Sequence, residues 1–395
     1  MTQYQVIVVG GGISGLSLAH YCRAQGRATC LLEREERVGG ALHSARFGKD
    51  FWLELGAHTG YNSYSRLLNI VEVLGLASRL THRETARWML WRGGHVQSVL
   101  SRLNWLELAV SMPRMFTAIR TGKSVEAYYS RVLGKRNFEQ VVRPMLSAVV
   151  SQDAATIPAE LLFKKRPRRK EHPRSFAFWG GLQSIPEAIA DQRQLTVLRG
   201  VGAERIVRDN TTWRVTTSDG QTLEAPALAI ATGPDVGARL LAEAAPDVAT
   251  LLGRIGMATL ETEGVVVRSA RTHLPRLAGL VGVEAPFWSV VARDPVRHRD
   301  YRGFAFHFRP GTPPEERTAR ICAVLGIQPQ SIEERVSVTR SLPAPDHTHA
   351  EVIRHLYERL ADVRLLVTGN YFGGLAIEDC VARSAAEVER LLSLD

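Results

Sequence analysis

Val6-Ile7-Val8-Val9-Gly10-Gly11-Gly12-Ile13-Ser14-Gly15 is the stretch on which the reading of this chain turns. The β-branched run suits a buried parallel strand, and the apolar segment from Leu16 to about Gln25 suits the helix that follows it. Gly10 permits the tight turn between them, Gly12 lets backbone approach a pyrophosphate, and Gly15 lets helix and strand pack closely. The helix N-terminus then offers free N–H groups and a positive dipole end to phosphates. A second strand, Ala28 to Leu32, ends in Glu33, placed to bind the ribose hydroxyls of an adenosine and unfavourable to a 2′-phosphate. A chance glycine turn ahead of a helix is the blander reading, and Glu33 argues against it. The sequence therefore opens with a dinucleotide-binding βαβ unit.

Outward from that unit, the 395 residues suffice for two domains, and an apolar share of 45% supplies a sizeable core. The net charge of +10 is spread along the chain without zinc-finger spacing or an RNP-type motif, so nucleic acid is the least favoured of the anionic partners. Four cysteines form no CxxC pair and no metal-ligand cluster, and no metal is expected. They suit reduced residues of a cytoplasmic protein. The first apolar run leads straight into glycines rather than into a signal-peptide cleavage site, and no stretch is long enough to span a bilayer.

Past Glu33 come Arg37-Val38-Gly39-Gly40 and Glu54-Leu55-Gly56-Ala57-His58. This second glycine pair resembles the extended FAD fingerprint of the amine oxidase and phytoene desaturase superfamily; a surface turn is the alternative. Gly180-Gly181-Leu182-Gln183-Ser184-Ile185-Pro186 is similar to the GGLQ segment of protoporphyrinogen and coproporphyrinogen oxidases. A strand pair from Leu195 to Val215 is expected next, then Ala229-Ile230-Ala231-Thr232-Gly233-Pro234. Near the end, Val367-Thr368-Gly369-Asn370-Tyr371-Phe372-Gly373-Gly374 through Val381 resembles the same family's closing motif, and Pro144 to Val149 its P-x-[VL]-S-G segment, with Ala148 in place of the glycine. The matches run in the family's order along the chain. Between Leu161 and Trp179 the chain is shorter than the family pattern, and Leu342-Pro343-Ala344-Pro345 departs from it, so the substrate pocket transfers less well than the cofactor site.

The resemblance implies an α/β fold, with a Rossmann-like FAD-binding domain (1–85, 180–235, 345–395) and a discontinuous, mixed α+β substrate-binding domain (86–179, 236–344). It implies FAD bound non-covalently by Gly10, Gly12, Ile13, Ser14, Gly15, Glu33 and Arg34, by Gly39, Gly40 and Ala41, and by Leu55, Gly56, Ala57 and His58. Ala203, Thr232, Gly233, Gly369, Asn370, Ala376 and Ile377 complete that set. Cys380 falls on the family's Asp-Cys pair rather than on a flavinylation cysteine. The implied reaction moves hydride from an activated C–H of a tetrapyrrole or other conjugated intermediate to flavin N5, and then to oxygen or a quinone-like acceptor. Arg102, His58 and Tyr371 are the candidate substrate contacts, with a surface arginine and a structural histidine as the plainer readings of the first two.

Three rivals stay open at this point: an amine or amino-acid oxidase, for which Tyr371-Phe372 is the only nameable aromatic pair; a non-catalytic FAD-binding scaffold; and an NAD-only dehydrogenase. Trp105 to Arg120 reads as a helix, either packed in the core against the pocket, which Pro113 favours, or lying on a membrane. Lys164 to Lys170 reads as a solvated loop or a holder of anionic head groups. Peripheral attachment to the inner face of a membrane, and a homodimer, both stay open.

Overall fold

The computed structural model describes residues 4–48 and 50–395. Val6–Val9 forms a fully buried strand, as its branched side chains require, and pairs in parallel with Thr29–Glu33 on one side and Ala227–Ile230 on the other. Leu195–Arg199 and Leu365–Val367 complete a five-stranded parallel sheet at its two edges. Helices cover both faces. On one face Ile13–Ala24 packs against the C-terminal helix Ile377–Leu392, and the Ser384 hydroxyl donates to the carbonyl of Ser14 at 2.7 Å. The two ends of the chain thus share one core.

The expected strand pair from 195 to 215 divides differently. Leu195–Arg199 joins the parallel sheet, while Ala203–Asp209 and Thr212–Thr217 belong to an antiparallel meander closed by Thr222–Ala225. A seven-stranded mixed sheet lies beside this body. Its order runs Ile332–Ala344, Gly256–Arg268, Tyr301–Phe308, Phe287–Ala292, Gly279–Gly282, Trp88–Arg92 and His95–Gln97. Residues 105–150 form a helical lobe of short pieces, with a π-helical turn at Phe138–Val142 just before the helix Arg143–Val150.

The core-helix expectation for Trp105 to Arg120 is corrected. A helix spans Trp105–Ser111 only, then gives way to a 3-10 turn at Met112–Phe116, where Pro113 stops its continuation. Most of the segment's large apolar side chains face solvent. The basic run at 164–170 is a loop, but not a free one. Lys164 and Arg166 meet Asp379, and Arg169 pairs with Glu72 and Glu171.

Candidate functional site

The carboxyl ends of the parallel strands gather the first set of expected residues. Gly10 holds φ +108° against Ala231, where a Cβ would meet the Ala231 carbonyl oxygen at 2.8 Å. Gly12 bridges to Gly39, and a Cβ on Gly40 would lie 3.1 Å from the Gly12 Cα, so these turns come together with no side chain between them. No side chain caps the helix that starts at Ile13 and Ser14, which leaves its N–H groups open beside that gap. One oxygen of Glu33 accepts from the Gly11 N–H at 2.7 Å and the other from the Glu35 N–H at 2.9 Å, fixing the carboxylate at the strand end. Arg34 lies next to it, exposed, with Gly202 close to its Cβ; Ala203 starts the strand that follows. Thr232 and Gly233 follow the strand Ala227–Ile230, half-buried.

Ala41, Leu55, Gly56, Ala57, His58, Asn370, Ala376 and Ile377 line a cavity of about 630 Å³ that continues from this edge toward the seven-stranded sheet. Gly369, buried one residue before Asn370, leads the chain into the cavity wall. Two motifs are locked together behind the wall. The Ser44 hydroxyl donates to Glu54 at 2.6 Å, the Leu182 N–H donates to the other Glu54 oxygen at 2.8 Å, and Gln183 exchanges bonds with Ser44. Burial pushes the Glu54 carboxyl up to about 7. The glycine pair 180–181 allows this, because a Cβ on Gly181 would lie 2.2 Å from the Ser44 hydroxyl.

Opposite the expected cofactor wall, the sheet presents a polar row. Thr262, His307 and Ser289 sit side by side on three neighbouring strands, all buried. His307 shares a 2.9 Å hydrogen bond with Thr262 through Nδ1, and the Ser289 Oγ, which has no partner among the described residues, lines the cavity. Burial, together with Arg340, holds His307 down to about 4. Burial, Arg83 and His307 hold His58 down to about 3, so both imidazoles are neutral near pH 7. Arg83 donates from Nη1 to the His58 carbonyl at 2.9 Å and is in no ion pair among the described residues. Arg340 donates to the Gly40 carbonyl and to His43 Nδ1, each at 2.6 Å, while its buried Nε lacks a partner among the described residues. Burial lowers the pKa of both arginines, Arg340 to about 10, which leaves them cationic at neutral pH. Among the described residues the one carboxylate on the cavity wall is Glu84, paired at the rim with Arg297 at 2.6 Å.

Of the three expected substrate contacts, only His58 lines the cavity. Arg102 ends an outlying 3-10 turn, Val99–Arg102, and does not reach the wall. Tyr371 is 1% exposed, with its ring packed over Gly369 and beside Phe372 in the core, so it faces away from the cavity. Arg83, Arg340, His307 and Ser289 were not foreseen. Strand pairing carries Arg83 in: Leu80–His82 pairs with Ser175–Phe178, nearly a hundred residues on, and no local pattern announces that.

A family model described as flavin containing amine oxidoreductase matches residues 13–388. Among curated proteins, protein anon-37Cs of Drosophila lebanonensis is 33% identical over 99 residues, 23% of this chain and 18% of that protein. The 15-cis-phytoene desaturase of Narcissus pseudonarcissus is 34% identical over 80 residues, 20% of this chain and 14% of that protein. The flavin-containing amine oxidase B of Homo sapiens is 33% identical over 95 residues, 22% of this chain and 18% of that protein. The matched stretch thus spans less than a fifth of each relative's length. Among solved structures, the "Putative protoporphyrinogen oxidase from Exiguobacterium sp. 255-15" superposes with a TM-score of 0.82 over the whole of both chains at 17% identity. A fatty acid isomerase from P. acnes gives 0.76 over 98% of each chain at 14% identity. A UDP-galactopyranose mutase gives 0.75 over 100% of this chain and 96% of that one, also at 14%. These likenesses show a common two-domain flavoprotein fold.

Proposed function

The chain belongs to the flavin containing amine oxidoreductase family, and on that premise we propose that it is an FAD-dependent oxidoreductase of the protoporphyrinogen oxidase type, acting on an anionic, conjugated substrate. The fold alone does not choose the reaction, because the similar structures are named as an oxidase, an isomerase and a mutase. The observation that carries the proposal is the charge of the cavity. Two arginines and two neutral imidazoles line it, and its single carboxylate is already paired at the rim.

FAD fits the residues present. The side-chain-free gap between Gly12 and Gly40, with the open helix N-terminus beside it, suits a diphosphate, and Glu33 suits a ribose. The spare Nε of Arg340, next to Gly40, has a donor left for a ligand oxygen. Cys380 is buried outside the cavity wall, its thiol pushed up to about 11 by burial, which supports non-covalent attachment. A bound flavin would supply a hydride acceptor at N5 and an outlet for the electrons to oxygen or a quinone-like acceptor.

The chain's own residues then position and shield the substrate. Arg83, which is in no ion pair among the described residues, binds a substrate carboxylate. His307 and Ser289 give hydrogen bonds without adding charge. A C–H flanked by electron-rich rings needs no strong base, and the cavity interior offers no carboxylate to act as one. A cationic amine fits this site poorly. It would meet Arg83 and Arg340, and the Tyr371-Phe372 pair, buried in the core, builds no aromatic cage.

Anaerobic mixing tests the reading. Coproporphyrinogen or protoporphyrinogen is expected to bleach the bound flavin, with benzylamine and putrescine leaving it oxidised. Arg83→Ala is expected to raise the porphyrinogen KM about tenfold or more, with a smaller effect on kcat. Bleaching by amines alone would overturn the proposal, as would a spectrum that responds to neither class.

A further inference from the structure

We propose that the segment Trp105–Ile119 is a membrane-docking surface that seats the helical lobe on an anionic lipid leaflet. The helix Trp105–Ser111 is built inside out. Its polar groups are turned inward: Asn104 accepts from the Glu107 N–H, both Glu107 oxygens accept from the backbone N–H groups of Arg136 and Asn137, and Ser111 is buried. Asn137 fastens the same turn through bonds to both backbone groups of Asn104. Its apolar groups are turned outward. Leu106 is 83% exposed and Val110 70%, one helical turn apart, with Trp105 beside them. After Pro113 the pattern persists, with Phe116 at 86% and Ile119 at 74%.

A surface helix of a water-soluble lobe normally buries the apolar face and wets the polar one. Here the hydrogen bonds hold the reverse arrangement in place, so the exposed face is not a loose end awaiting a core. An apolar patch this dense marks an interaction site.

Charge identifies the occupant. Arg102, Arg114, Arg120 and Lys123 border the patch, and none forms an ion pair among the described residues. Glu107 is the one acid within residues 99–124, and its oxygens are taken by backbone donors. Anionic head groups complement that ring, while acyl chains accept Leu106 and Phe116. A second copy of the chain would bring the same cationic ring against its own, which disfavours self-pairing. Among the described residues no helix is long and apolar enough to cross a membrane, so the contact is one of lying on the surface. The lobe also bears on the cavity. Met145, Ala148 and Val149 of its helix Arg143–Val150 line it, the first two pack with Val99 against the buried cluster of Leu90, Val281 and Val283, and Val149 is more than half exposed, giving the cavity an apolar edge on this lobe.

Flotation of the flavin-loaded full chain tests the proposal. The protein is expected to rise with vesicles of phosphatidylcholine containing phosphatidylglycerol, and about tenfold less with phosphatidylcholine alone. Leu106→Glu with Phe116→Glu is expected to cut the lipid-bound fraction about tenfold while the visible flavin spectrum is retained. Arg114→Gln with Lys123→Gln keeps the apolar face and is expected to abolish the preference for anionic vesicles. The proposal is overturned if the native chain stays with the soluble fraction in both vesicles, or if the double glutamate variant floats as well as the native chain. It is equally overturned if light scattering finds a lipid-free dimer that this variant converts to monomer.

Discussion

At the scale of single residues, the cradle depends on backbone approaching backbone. A Cβ on Gly15 would sit 1.9 Å from the carbonyl oxygen of Gly10. Both atoms belong to the turn, so neither can rotate away. Gly15→Ala must therefore push the helix Ile13–Ala24 off its strand, and flavin retained through gel filtration is expected to fall about tenfold or more. Gly26, also at positive φ but with open space around it, is the control. Gly26→Ala carries only the left-handed backbone strain, about 1–2 kcal/mol, and is expected to keep the flavin. Retention by the Gly15 variant at the level of the Gly26 variant would mean that the close approach is not needed. The same scale explains what was readable beforehand. The turn at Gly10 and the close packing at Gly15 are local, fixed by spacing along the chain. The direction of the Tyr371 side chain is not local, because its ring closes over Gly369 and toward Phe372 only once the C-terminal helix has docked.

At the scale of elements, one side chain does for another helix what that helix cannot do for itself. Ser65–Val73 begins with no capping side chain of its own at Tyr64. Glu378, on the first turn of Ile377–Leu392, instead accepts from the N–H groups of Arg66 at 2.9 Å and Leu67 at 3.1 Å. Glu378→Ala leaves these donors unpaired in a buried setting and is expected to cost about 1–2 kcal/mol in urea unfolding. Tyr64, which lines the cavity ahead of that helix, is expected to loosen with it and weaken flavin binding. Unchanged stability would show that water caps the helix equally well. Elements announce themselves unequally. The central parallel strands were legible because burial on both faces demands unbroken apolar runs. Trp105–Ser111 was misjudged because an apolar stripe has the same period whether it faces a core or the outside. Only Asn137 and the chain around Arg136, distant in sequence, decide that its polar side is the inner one.

At the scale of the whole molecule, the parallel-sheet half was legible because its glycine motifs flank one sheet whose strands come from both ends of the chain. The seven-stranded sheet was only sketched. It draws on residues 88–97 and 256–344, and the pairing of Gly279–Gly282 with Trp88–Arg92 has no local signature. That closure buries titratable groups together, so stability must depend on pH through their sum. Burial depresses His58 to about 3, and His43 and His307 to about 4, against 6.5 for an ordinary histidine. Below about pH 6.5 the unfolded chain therefore takes up protons that the folded chain refuses, and stability falls as pH drops. Glu54 acts in the opposite sense. Its folded pKa of about 7 lies above the ordinary 4.5, so its contribution is full at low pH and is lost as pH rises through that window. Burial lowers His20 and His349 as well and raises Glu378 beside Glu54, so five histidines stand against two carboxyls and give a net loss of thermal stability between about pH 7 and pH 5. Glu54→Gln keeps an acceptor for the Leu182 N–H and a partner for Ser44 while removing the opposing titration. Its Tm is accordingly expected to fall more steeply than that of the native chain over the same interval. Calorimetry at matched ionic strength decides the matter: parallel Tm curves for the two proteins would show that Glu54 is ionised in the folded state throughout, and that its burial does not hold the proton.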